Sequence, residues 1–357
     1  MDRHGNLYGT TVYGGTAGYG NIYELAHVNG SWILYPLYSF THQGDDGCYP
    51  RAGLTIGPDG TLFGATEGGG KSDAGTLFNL KPPAHVECAA ALCPRTETIL
   101  HSFAEEHDGS NPEGNVVFDS QGNLYGTTYF GGRYYSGTVY KATRSGGTWN
   151  VSAIYKFGTG HGEFPQAGVV PDSAGNLYGT TSEGGPYGNG TAFELSPSEG
   201  GWIENDLHYF GGDDGCFVSA GLVFDRAGNL YGGTWGRGSS CGTIFELSPQ
   251  GGDWNFTTLY TFPGGAGPAS TLAIDAAGNL YGGGGVGTYG QGNVFELSPS
   301  AGGWTYTDLY DFTGGNDGSG PSSSVAVTGP GGYLYGTTLY GGSDGYGVIY
   351  QIDLGAR

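Results

Sequence analysis

Short apolar runs separated by turn residues extend along the whole chain, and their spacing is not helical. Residues 221–262 show the unit most clearly, because four β-rich runs, GLVFD, LYGGT, TIFEL and WNFTTLYTF, are separated by RAGN, WGRGSSCG and SPQGGD. Short apolar runs bounded by Gly, Pro, Asn, Asp and Ser are typical of strands joined by turns. The unit therefore predicts four consecutive β-strands.

The second run of this unit recurs at regular intervals. GNLYGTT begins at Gly5, and related copies begin at residues 60, 122, 175, 228, 278 and 332. Tandem units of four short strands are the pattern of a β-propeller, in which each unit forms one blade. We predict an all-β fold with a single β-propeller domain over residues 1–357, seven blades of mainly four antiparallel strands, incomplete terminal blades and an insertion at residues 81–96. A six-bladed ring with an accessory hairpin is the alternative.

Because the GNLYGTT motif recurs along the chain, we interpret it as a structural element of each blade and not as a phosphate-binding loop or a catalytic motif. In five copies an aspartate stands three residues before the glycine, where it is expected to accept N–H groups of the turn between the first two strands: Asp2, Asp119, Asp172, Asp225 and Asp275. The glycine of LYG predicts close backbone approach where the blades converge. The tryptophans of the fourth run are predicted to pack the outer part of each blade: Trp32, Trp149, Trp202, Trp254 and Trp304.

Charge and composition restrict the possible partners and the compartment. Twelve basic residues against 33 acidic ones give a formal net charge of −21, which repels phosphate backbones, so nucleic acid and anionic membranes are poor partners. No apolar run approaches about 18 residues, so no transmembrane segment is predicted. Few lysines with many Tyr, Gly, Asn and Thr favour an extracellular or cell-surface protein. Met1 runs directly into a repeat, so we expect signal and anchor segments to be absent from this chain.

The five cysteines can be placed by repeat position. Cys216 and Cys241 occupy two loops of repeat five that should lie side by side, and Cys88 and Cys93 would close a small loop in the insertion. Cys48 has no counterpart to pair with in its own repeat, so it is predicted to be free. Two disulfides indicate an oxidising compartment, and the cysteine spacing does not favour a zinc site.

The runs AGLVFD, GNLYG and GTIFEL of repeat five carry a resemblance to a known family. With them the chain resembles the GloVer-type (Gloeobacter/Verrucomicrobia) tandem repeat of bacterial surface proteins, and the first half of the unit is similar to NHL-like β-propeller repeats. The resemblance extends over essentially the whole sequence. It implies an extracellular or surface-displayed bacterial β-propeller, and it implies no catalytic residues that could be carried over.

Two loops of each predicted blade should emerge on one face: the loop before the first strand, here called the leading loop, and the loop between the second and third strands, here called the aromatic loop. Four leading loops carry an aspartate before a glycine: Asp46, Asp108, Asp214 and Asp317. An ordinary turn is the first interpretation. The alternative is a ring of carboxylates at the mouth of a central channel, which could hold Ca²⁺. No cofactor is expected to be required.

The aromatic loops contain the candidate ligand-binding residues: Tyr13, Phe130, Arg133, Glu183, Trp235, Tyr289 and Tyr340. Rings can stack on sugars while carboxylates accept hydrogen bonds from hydroxyl groups, so this surface suits a neutral glycan. Packing between blades is the alternative for about half of these rings.

Histidines break the repeat in three consecutive leading loops, at His42, His107 and His161, and Glu163 replaces a small residue. A histidine with a carboxylate could abstract a proton, and two carboxylates could hydrolyse a glycosidic bond. The candidate catalytic residues are therefore His107, His161 and Glu163, in a glycoside hydrolase or polysaccharide lyase. No G-x-S-x-G nucleophile motif occurs.

Three functional hypotheses follow for this chain. The first is a secreted or surface-displayed monomer that binds a neutral glycan or another extracellular surface polymer. The second is a polysaccharide-acting hydrolase or lyase, and the third is a structural adhesion protein. We predict the working site at the channel mouth on the face of the leading loops, because residues that break the repeat collect there.

Overall fold

The computed structural model describes residues 1–82, 95–236, 241–321, 323–328 and 332–355. Within these ranges the secondary structure consists of thirty β-strands without a helix. The described part of the chain accordingly contains no helix long and apolar enough to cross a membrane.

The chain forms two compact units. The first comprises Met1–Thr159, Phe164–Asn176 and Pro197–Ile203, and the second comprises Gly160–Glu163, Leu177–Ser196 and Glu204–Arg357. The division falls within the fourth repeat, and the packing of each unit is described by itself. A single domain over residues 1–357 stays a prediction.

The strands are short, and their bounds follow the repeated runs. The first thirteen are β1 (Leu7–Thr11), β2 (Asn21–Val28), β3 (Ser31–Ser39), β4 (Gly47–Cys48), β5 (Thr55–Ile56), β6 (Leu62–Thr66), β7 (Gly68–Gly69), β8 (Thr76–Lys81), β9 (Thr96–Ser102), β10 (Val117–Phe118), β11 (Leu124–Thr128), β12 (Thr138–Ser145) and β13 (Thr148–Lys156). The next ten are β14 (Gly162–Glu163), β15 (Val170–Pro171), β16 (Leu177–Thr181), β17 (Glu183–Gly184), β18 (Thr191–Ser198), β19 (Gly201–Tyr209), β20 (Val223–Phe224), β21 (Leu230–Thr234), β22 (Thr243–Gln250) and β23 (Asp253–Thr261). The last are β24 (Ala273–Ile274), β25 (Leu280–Gly284), β26 (Asn293–Ser300), β27 (Gly303–Asp311), β28 (Ala326–Val327), β29 (Tyr333–Thr337) and β30 (Ile349–Asp353).

Seven sheets have the strand order of propeller blades, and we number these blades one to seven in chain order. Blades two to six have four strands each, in the orders β5-β6-β8-β9, β10-β11-β12-β13, β15-β16-β18-β19, β20-β21-β22-β23 and β24-β25-β26-β27. The first and last blades have three strands each, β1-β2-β3 and β28-β29-β30. The predicted seven-bladed β-propeller with incomplete terminal blades is therefore confirmed, and the six-bladed alternative is wrong.

The turn between the first and second strands is built on the aspartate predicted for it. In blade three, Asp119 Oδ1 accepts the N–H groups of Gln121 (2.8 Å) and Asn123 (2.9 Å), and Oδ2 accepts hydrogen bonds from the Asn123 amide and the Tyr125 hydroxyl. Gly122 closes the turn with a φ of 82°, a conformation that glycine adopts without strain. The same bonds within the turn recur at Asp2, Asp172, Asp225 and Asp275.

These turn bonds also change how the aspartates titrate. Burial raises the pKa of Asp119, but the hydrogen bonds from Asn123, Gln121 and Tyr125 outweigh it, and the pKa lies below its ordinary value. Repeat two uses a different turn, in which Asp59 Oδ1 accepts the N–H of Thr61. The corresponding positions of repeat seven, Gly329 and Pro330, lie outside the described residues.

The two threonines of LYGTT connect different parts of the fold. In blade three, the buried hydroxyls of Thr128 and Thr138 lie 2.9 Å apart and join the second strand to the third. The hydroxyl of Thr127 donates to the carbonyl of Ala167 (2.8 Å), just before the first strand of the next blade. Equivalent bonds join Thr66 to Thr76, Thr181 to Thr191, Thr234 to Thr243, Thr10 to Ala52 and Thr180 to Ala220. The repeated motif therefore stabilises both the blade and its junction with the following blade.

The glycine of LYG makes room for an aromatic ring, not for a second backbone as we expected. Gly126 pairs directly with Tyr140 across β11 and β12, and a Cβ at Gly126 would collide with that ring. In blade six a Cβ at Gly282 would lie 2.6 Å from Cζ of Phe295. The prediction of close backbone approach is therefore wrong: a cross-strand aromatic side chain occupies the space beside this glycine.

The repeated tryptophan packs against the preceding blade. In the first unit, the ring of Trp149 lies 5.9 Å from that of Phe63 in blade two, with an angle of 68° between the ring planes. In the second unit, Trp254 contacts Tyr178 at 5.6 Å and Trp304 contacts Tyr231 at 5.8 Å. The predicted packing role is confirmed, and the partner is the aromatic residue of LYG or LFG in the preceding repeat.

Candidate functional site

Each leading loop contacts the aromatic loop of its own blade. In the first unit, β4 pairs with β7 in blade two, and Ser110 bridges Phe130 in blade three. In the second unit, β14 pairs with β17 in blade four, and Ser319 bridges Tyr340 in blade seven. Both loop classes therefore form one end of each blade, here called the loop end, opposite the hairpin turns.

A strained residue fixes these loops to each other. Tyr49, Phe164 and Phe217 hold equivalent positions in three leading loops and have φ values of 58°, 59° and 54°. Positive φ is unfavourable for bulky side chains and marks places where the surrounding structure imposes it. Tyr49 N–H donates to the Tyr19 carbonyl, and the Tyr49 carbonyl accepts the N–H of Glu67, so this residue joins the aromatic loops of consecutive blades.

The aromatic loops hold most of the exposed rings of the described chain. Eight of the ten exposed aromatic side chains lie in these loops, namely Tyr13, Tyr134, Tyr135, Tyr187, Trp235, Tyr289, Tyr340 and Tyr346. Tyr13 is 68% exposed, Tyr340 64% and Trp235 44%. The sequence-predicted ligand residues Tyr13, Trp235, Tyr289 and Tyr340 are thus available to a ligand.

The other predicted ligand residues have different environments. Phe130 is half-buried, with its ring 4.5 Å from Tyr129 and 5.7 Å from Phe164, so it packs the loop. Arg133 is exposed and lies over the ring of Tyr134 at 5.4 Å. Glu183 is exposed on β17.

The four leading-loop aspartates are bonded within their own loops and to the preceding fourth strand. Asp46 accepts hydrogen bonds from Thr41 and Tyr38, and Asp317 from Thr313 and Tyr310. At the same positions, Asp108 pairs with His101 and Asp214 with His208 (2.7 Å). Each carboxylate has the bonds of an anchored turn, which was the first interpretation. None of the four belongs to a group of the described residues that could hold a metal ion.

The predicted catalytic residues are only partly brought together. His107 is exposed, and no side-chain hydrogen bond to it occurs within the described ranges. Glu163 lies opposite Glu183 where β14 pairs with β17. His161 contacts Glu204 and Asp206 of β19 instead of Glu163, with Nδ1 3.2 Å from Glu204 Oε2 and 2.9 Å from Asp206 Oδ2.

A second cluster of charges, in the first unit, was missed by the sequence analysis. Arg51 Nε donates to Glu67 Oε2 at 2.5 Å and lies 4.0 Å from Glu113 Oε1. Burial raises the pKa of Glu113 to about 7, while Arg51 opposes that rise and Glu67 adds to it. The Glu67 N–H donates to the carbonyl of Tyr49, and the ring of Tyr49 lies 5.6 Å from the exposed ring of Tyr13. The cluster therefore combines a carboxyl group whose pKa is raised, Glu113, with a second one, Glu67, that is bonded to arginine.

Both clusters have a signal in the aligned repeats. Arg51 and Glu113 follow the proline of two successive leading loops, and the same column elsewhere holds the uncharged residues Gln166, Ser219, Ala269 and Ser322. Glu204 stands two residues after the repeated tryptophan, where other repeats have Leu34, Val151, Phe256 and Tyr306. An acidic residue in an otherwise apolar column could have identified it.

The disulfide prediction is confirmed where the structure describes the cysteines. Cys216 and Cys241 form a disulfide with Cα atoms 5.4 Å apart, and it joins the leading and aromatic loops of blade five. Cys48 is free and buried, as predicted. The predicted Cys88–Cys93 bridge lies outside the described residues.

Comparison with solved structures gives likeness in fold. A protein from Lactobacillus plantarum is 15% identical, with a TM-score of 0.55 and coverage of 98% of this chain and 95% of that chain. A putative 6-phosphogluconolactonase from Bacteroides uniformis is 14% identical, with a TM-score of 0.56 and coverage of 93% and 88%. A puromycin-hydrolyzing peptidase from Mycobacterium tuberculosis is 12% identical, with a TM-score of 0.58, and the match covers all of this chain and 51% of that chain.

Sequence comparison identifies the family. No match was found among curated proteins. The model of the Gloeobacter/Verrucomicrobia repeat matches residues 92–283 and 204–357, which together span well over half of the chain. These matched ranges contain the repeated turn, threonine and tryptophan contacts that define the blades. The protein therefore belongs to the Gloeobacter/Verrucomicrobia repeat family.

Proposed function

We propose that this protein is a secreted or surface-displayed bacterial β-propeller that binds a neutral glycan on its aromatic loops. The observation that carries the proposal is the concentration of exposed rings in this one class of loop. Isolated exposed rings need no explanation, but a set of them at one end of the blades is typical of a binding surface. Placement at the mouth of a central channel stays a prediction.

The chemistry of the loop end suits sugars. Tyrosine and tryptophan rings present an apolar face for stacking and a polar group for hydrogen bonding. The charged groups of Arg51, Glu67 and Glu113 lie in the same part of the first unit as the exposed Tyr13 and could bond sugar hydroxyls. The left-handed Tyr49, Phe164 and Phe217 hold the loops in place before a ligand arrives, which reduces the entropy cost of binding.

Charge favours a neutral glycan over an anionic one. The formal net charge is −21, and a field of this sign lowers the local concentration of anionic ligands. Binding of a uronate polymer is therefore expected only when a cation such as Ca²⁺ screens the carboxylates. The Cys216–Cys241 disulfide supports export to an oxidising compartment.

A glycan panel with two matched variants tests the proposal. Retention of the wild-type protein on immobilised neutral polysaccharides is expected to fall at least tenfold in Trp235→Ala and Tyr340→Ala. Tyr333→Ala removes a ring that is 41% exposed on β29, outside the aromatic loops, and retention should be unchanged. Equal loss in all three variants, or no neutral glycan retained by the wild type, would contradict the proposal and favour a structural adhesion role.

A hydrolase or lyase is the second candidate function, and the Arg51–Glu67–Glu113 cluster favours it. Glycoside hydrolysis uses one protonated carboxylic acid and one ionised carboxylate. The different surroundings of the two groups keep their pKa values apart. Glu113, with a pKa raised to about 7 by burial, is suited to be the acid, and Glu67 beside Arg51 is suited to be the carboxylate. This assignment differs from the one based on His107, His161 and Glu163.

Product release in the same panel separates the two assignments. If the protein turns over a glycan, Glu113→Gln and Glu67→Gln should each reduce the rate at least a hundredfold. His107→Ala, which removes an exposed side chain, should leave the rate unchanged. Loss of turnover in Glu163→Gln with full activity in Glu113→Gln would contradict the new assignment and restore the first.

A further inference from the structure

Two carboxylates on one edge strand are almost completely removed from solvent. Glu204 and Asp206 are two residues apart on β19, so their side chains lie on the same face of the strand. Their side chains are 3% and 7% exposed. Buried carboxylates are normally paired with cations or coordinate a metal, because an uncompensated buried charge is very costly.

A histidine and a tyrosine contact this pair of carboxylates. His161 contacts both carboxylates and is 52% exposed. The Tyr209 hydroxyl donates to Asp206 Oδ2 at 2.7 Å. The second oxygen, Asp206 Oδ1, is buried and has no hydrogen-bond partner. This buried acceptor of Asp206 therefore remains available to a ligand.

We propose that His161, Glu204 and Asp206 form a binding site for a divalent transition-metal ion of the Zn²⁺ class. One ligand atom from each of the three residues can be chosen so that all lie within 4.8 Å of one another. The imidazole offers Nδ1, which faces both carboxylates. A divalent ion would replace the proton of Nδ1 and neutralise both buried carboxylates.

The donor set selects the class of ion. Imidazole nitrogen and carboxylate oxygen are ligands of Zn²⁺, whereas Ca²⁺ requires six to eight oxygen ligands. The three protein ligands leave the fourth coordination position of the ion open to water, and the half-exposed histidine allows water to reach it. Three protein ligands and one water are the arrangement of catalytic zinc sites. This site is therefore different from the calcium ring considered for the leading-loop aspartates.

A second group of possible ligands provides an internal contrast. His42, Cys48 and Asp73 in the first unit also lie within ligand distance of one another. Asp73 is 69% exposed there, and burial together with nearby carboxylates raises the pKa of the Cys48 thiol to about 12, which opposes the thiolate form that binds metal. No buried oxygen is left without a partner in that group.

Calorimetric titration of the tag-free, chelator-treated chain with ZnCl₂ tests the site without any glycan. Wild-type protein, His42→Ala and His107→Ala are expected to bind one Zn²⁺ with equal affinity, and Ca²⁺ should bind at least a hundredfold more weakly. His161→Ala and Asp206→Asn should weaken Zn²⁺ binding at least tenfold. Because His161 is half-exposed in a loop, His161→Ala is expected to fold, which its near-ultraviolet circular dichroism checks.

Co²⁺ provides a second readout at the same ligands. Bound in place of Zn²⁺, it should give visible absorption bands in wild-type protein and His107→Ala, and these bands should be absent in His161→Ala. Zn²⁺ affinity that is unchanged in His161→Ala, or that is lost in His42→Ala, would overturn the proposal. Absence of Zn²⁺ binding at micromolar concentration in the wild type would overturn it as well.

Discussion

Both ends of a blade contain aspartates, but only the aspartates at the hairpin end form the same bonds from blade to blade. At the hairpin end, Asp2, Asp119, Asp172, Asp225 and Asp275 all form the same turn bonds. At the loop end, the aspartate binds tyrosine in some blades and histidine in others, and in blade four His161 replaces it and contacts a different strand. The hairpin end therefore repeats one stabilising turn, and the loop end carries the residues that differ between blades.

The same contrast appears in protonation. Hydrogen bonds outweigh burial and lower the pKa of Asp119 and Asp225 at the hairpin end, so their stabilisation is present above the ordinary aspartate pKa and is lost as the pH falls below it. At the loop end and the adjacent fourth strand, burial raises the pKa of Glu113 and Glu97 to about 7. These two groups destabilise the fold as the pH rises, which is the opposite sign.

The largest expected change in stability comes from the disulfide at the loop end. Reducing the Cys216–Cys241 bridge, or replacing both cysteines with alanine, should lower the free energy of unfolding by up to about 3 kcal/mol, because the bridge closes a loop of 25 residues. Denaturant unfolding with and without reductant measures the effect. An unchanged midpoint would mean that the blade contacts alone hold these loops.

At the hairpin end, Asp275→Ala should cost about 2 kcal/mol, because it removes the acceptor of bonds from Ala277, Asn279 and Tyr281. Asp344→Ala, at an exposed aspartate of an aromatic loop, is the matched control and should change stability by less than about 0.5 kcal/mol. Chemical denaturation of both variants measures the difference. Similar effects of the two substitutions would break the contrast between the ends.

A pH series should reveal the buried glutamates. Glu97 has a buried oxygen, Oε1, without a hydrogen-bond partner, and burial followed by repulsion from Asp46 raises its pKa to about 7. The folded state therefore holds a proton that the unfolded state releases near pH 4.5, and stability should fall between about pH 4.5 and 7. Glu97→Gln should remove roughly 1–2 kcal/mol of this decrease. Glu199→Gln, at an exposed glutamate, should leave the pH profile unchanged.

The smallest effect on stability is expected at the exposed rings. Trp235→Ala should change the free energy of unfolding by less than about 0.5 kcal/mol, because the ring is exposed while its backbone N–H stays bonded to the Phe217 carbonyl. Thermal unfolding measures this change. A large loss of stability would show that the ring packs the blade and would weaken its assignment to a ligand.

The scaffold could be predicted from the sequence because each repeat specifies it locally. The Asp-x-x-Gly turn, the tandem motif and the Cys216–Cys241 pair depend on contacts within one blade, and all three predictions were right. Contacts between blades were harder to predict from the sequence. The bond from Thr127 to Ala167 spans 40 residues, and no local pattern indicates it.

The candidate sites were predictable only in part, for a related physical reason. The exposed rings could be found because they lie in loops between strands, but burial and charge pairing depend on neighbouring elements. Arg51, Glu67 and Glu113 come from successive loops, and their association appears only after folding. The sequence singles out His161 as a departure from the repeat, but it does not indicate the partners of His161 on β19.

Glycan binding and thermal stability, measured together for two sets of variants, test the central claim most directly. The account predicts that Trp235→Ala with Tyr340→Ala abolishes retention on the neutral glycan bound by the wild type while the melting temperature stays the same. It predicts that Asp275→Ala lowers the melting temperature by several degrees and leaves retention by the folded protein intact. Retained binding in the double loop variant, or binding lost only in the folded hairpin variant, would contradict the division between a stabilising hairpin end and a ligand-binding loop end.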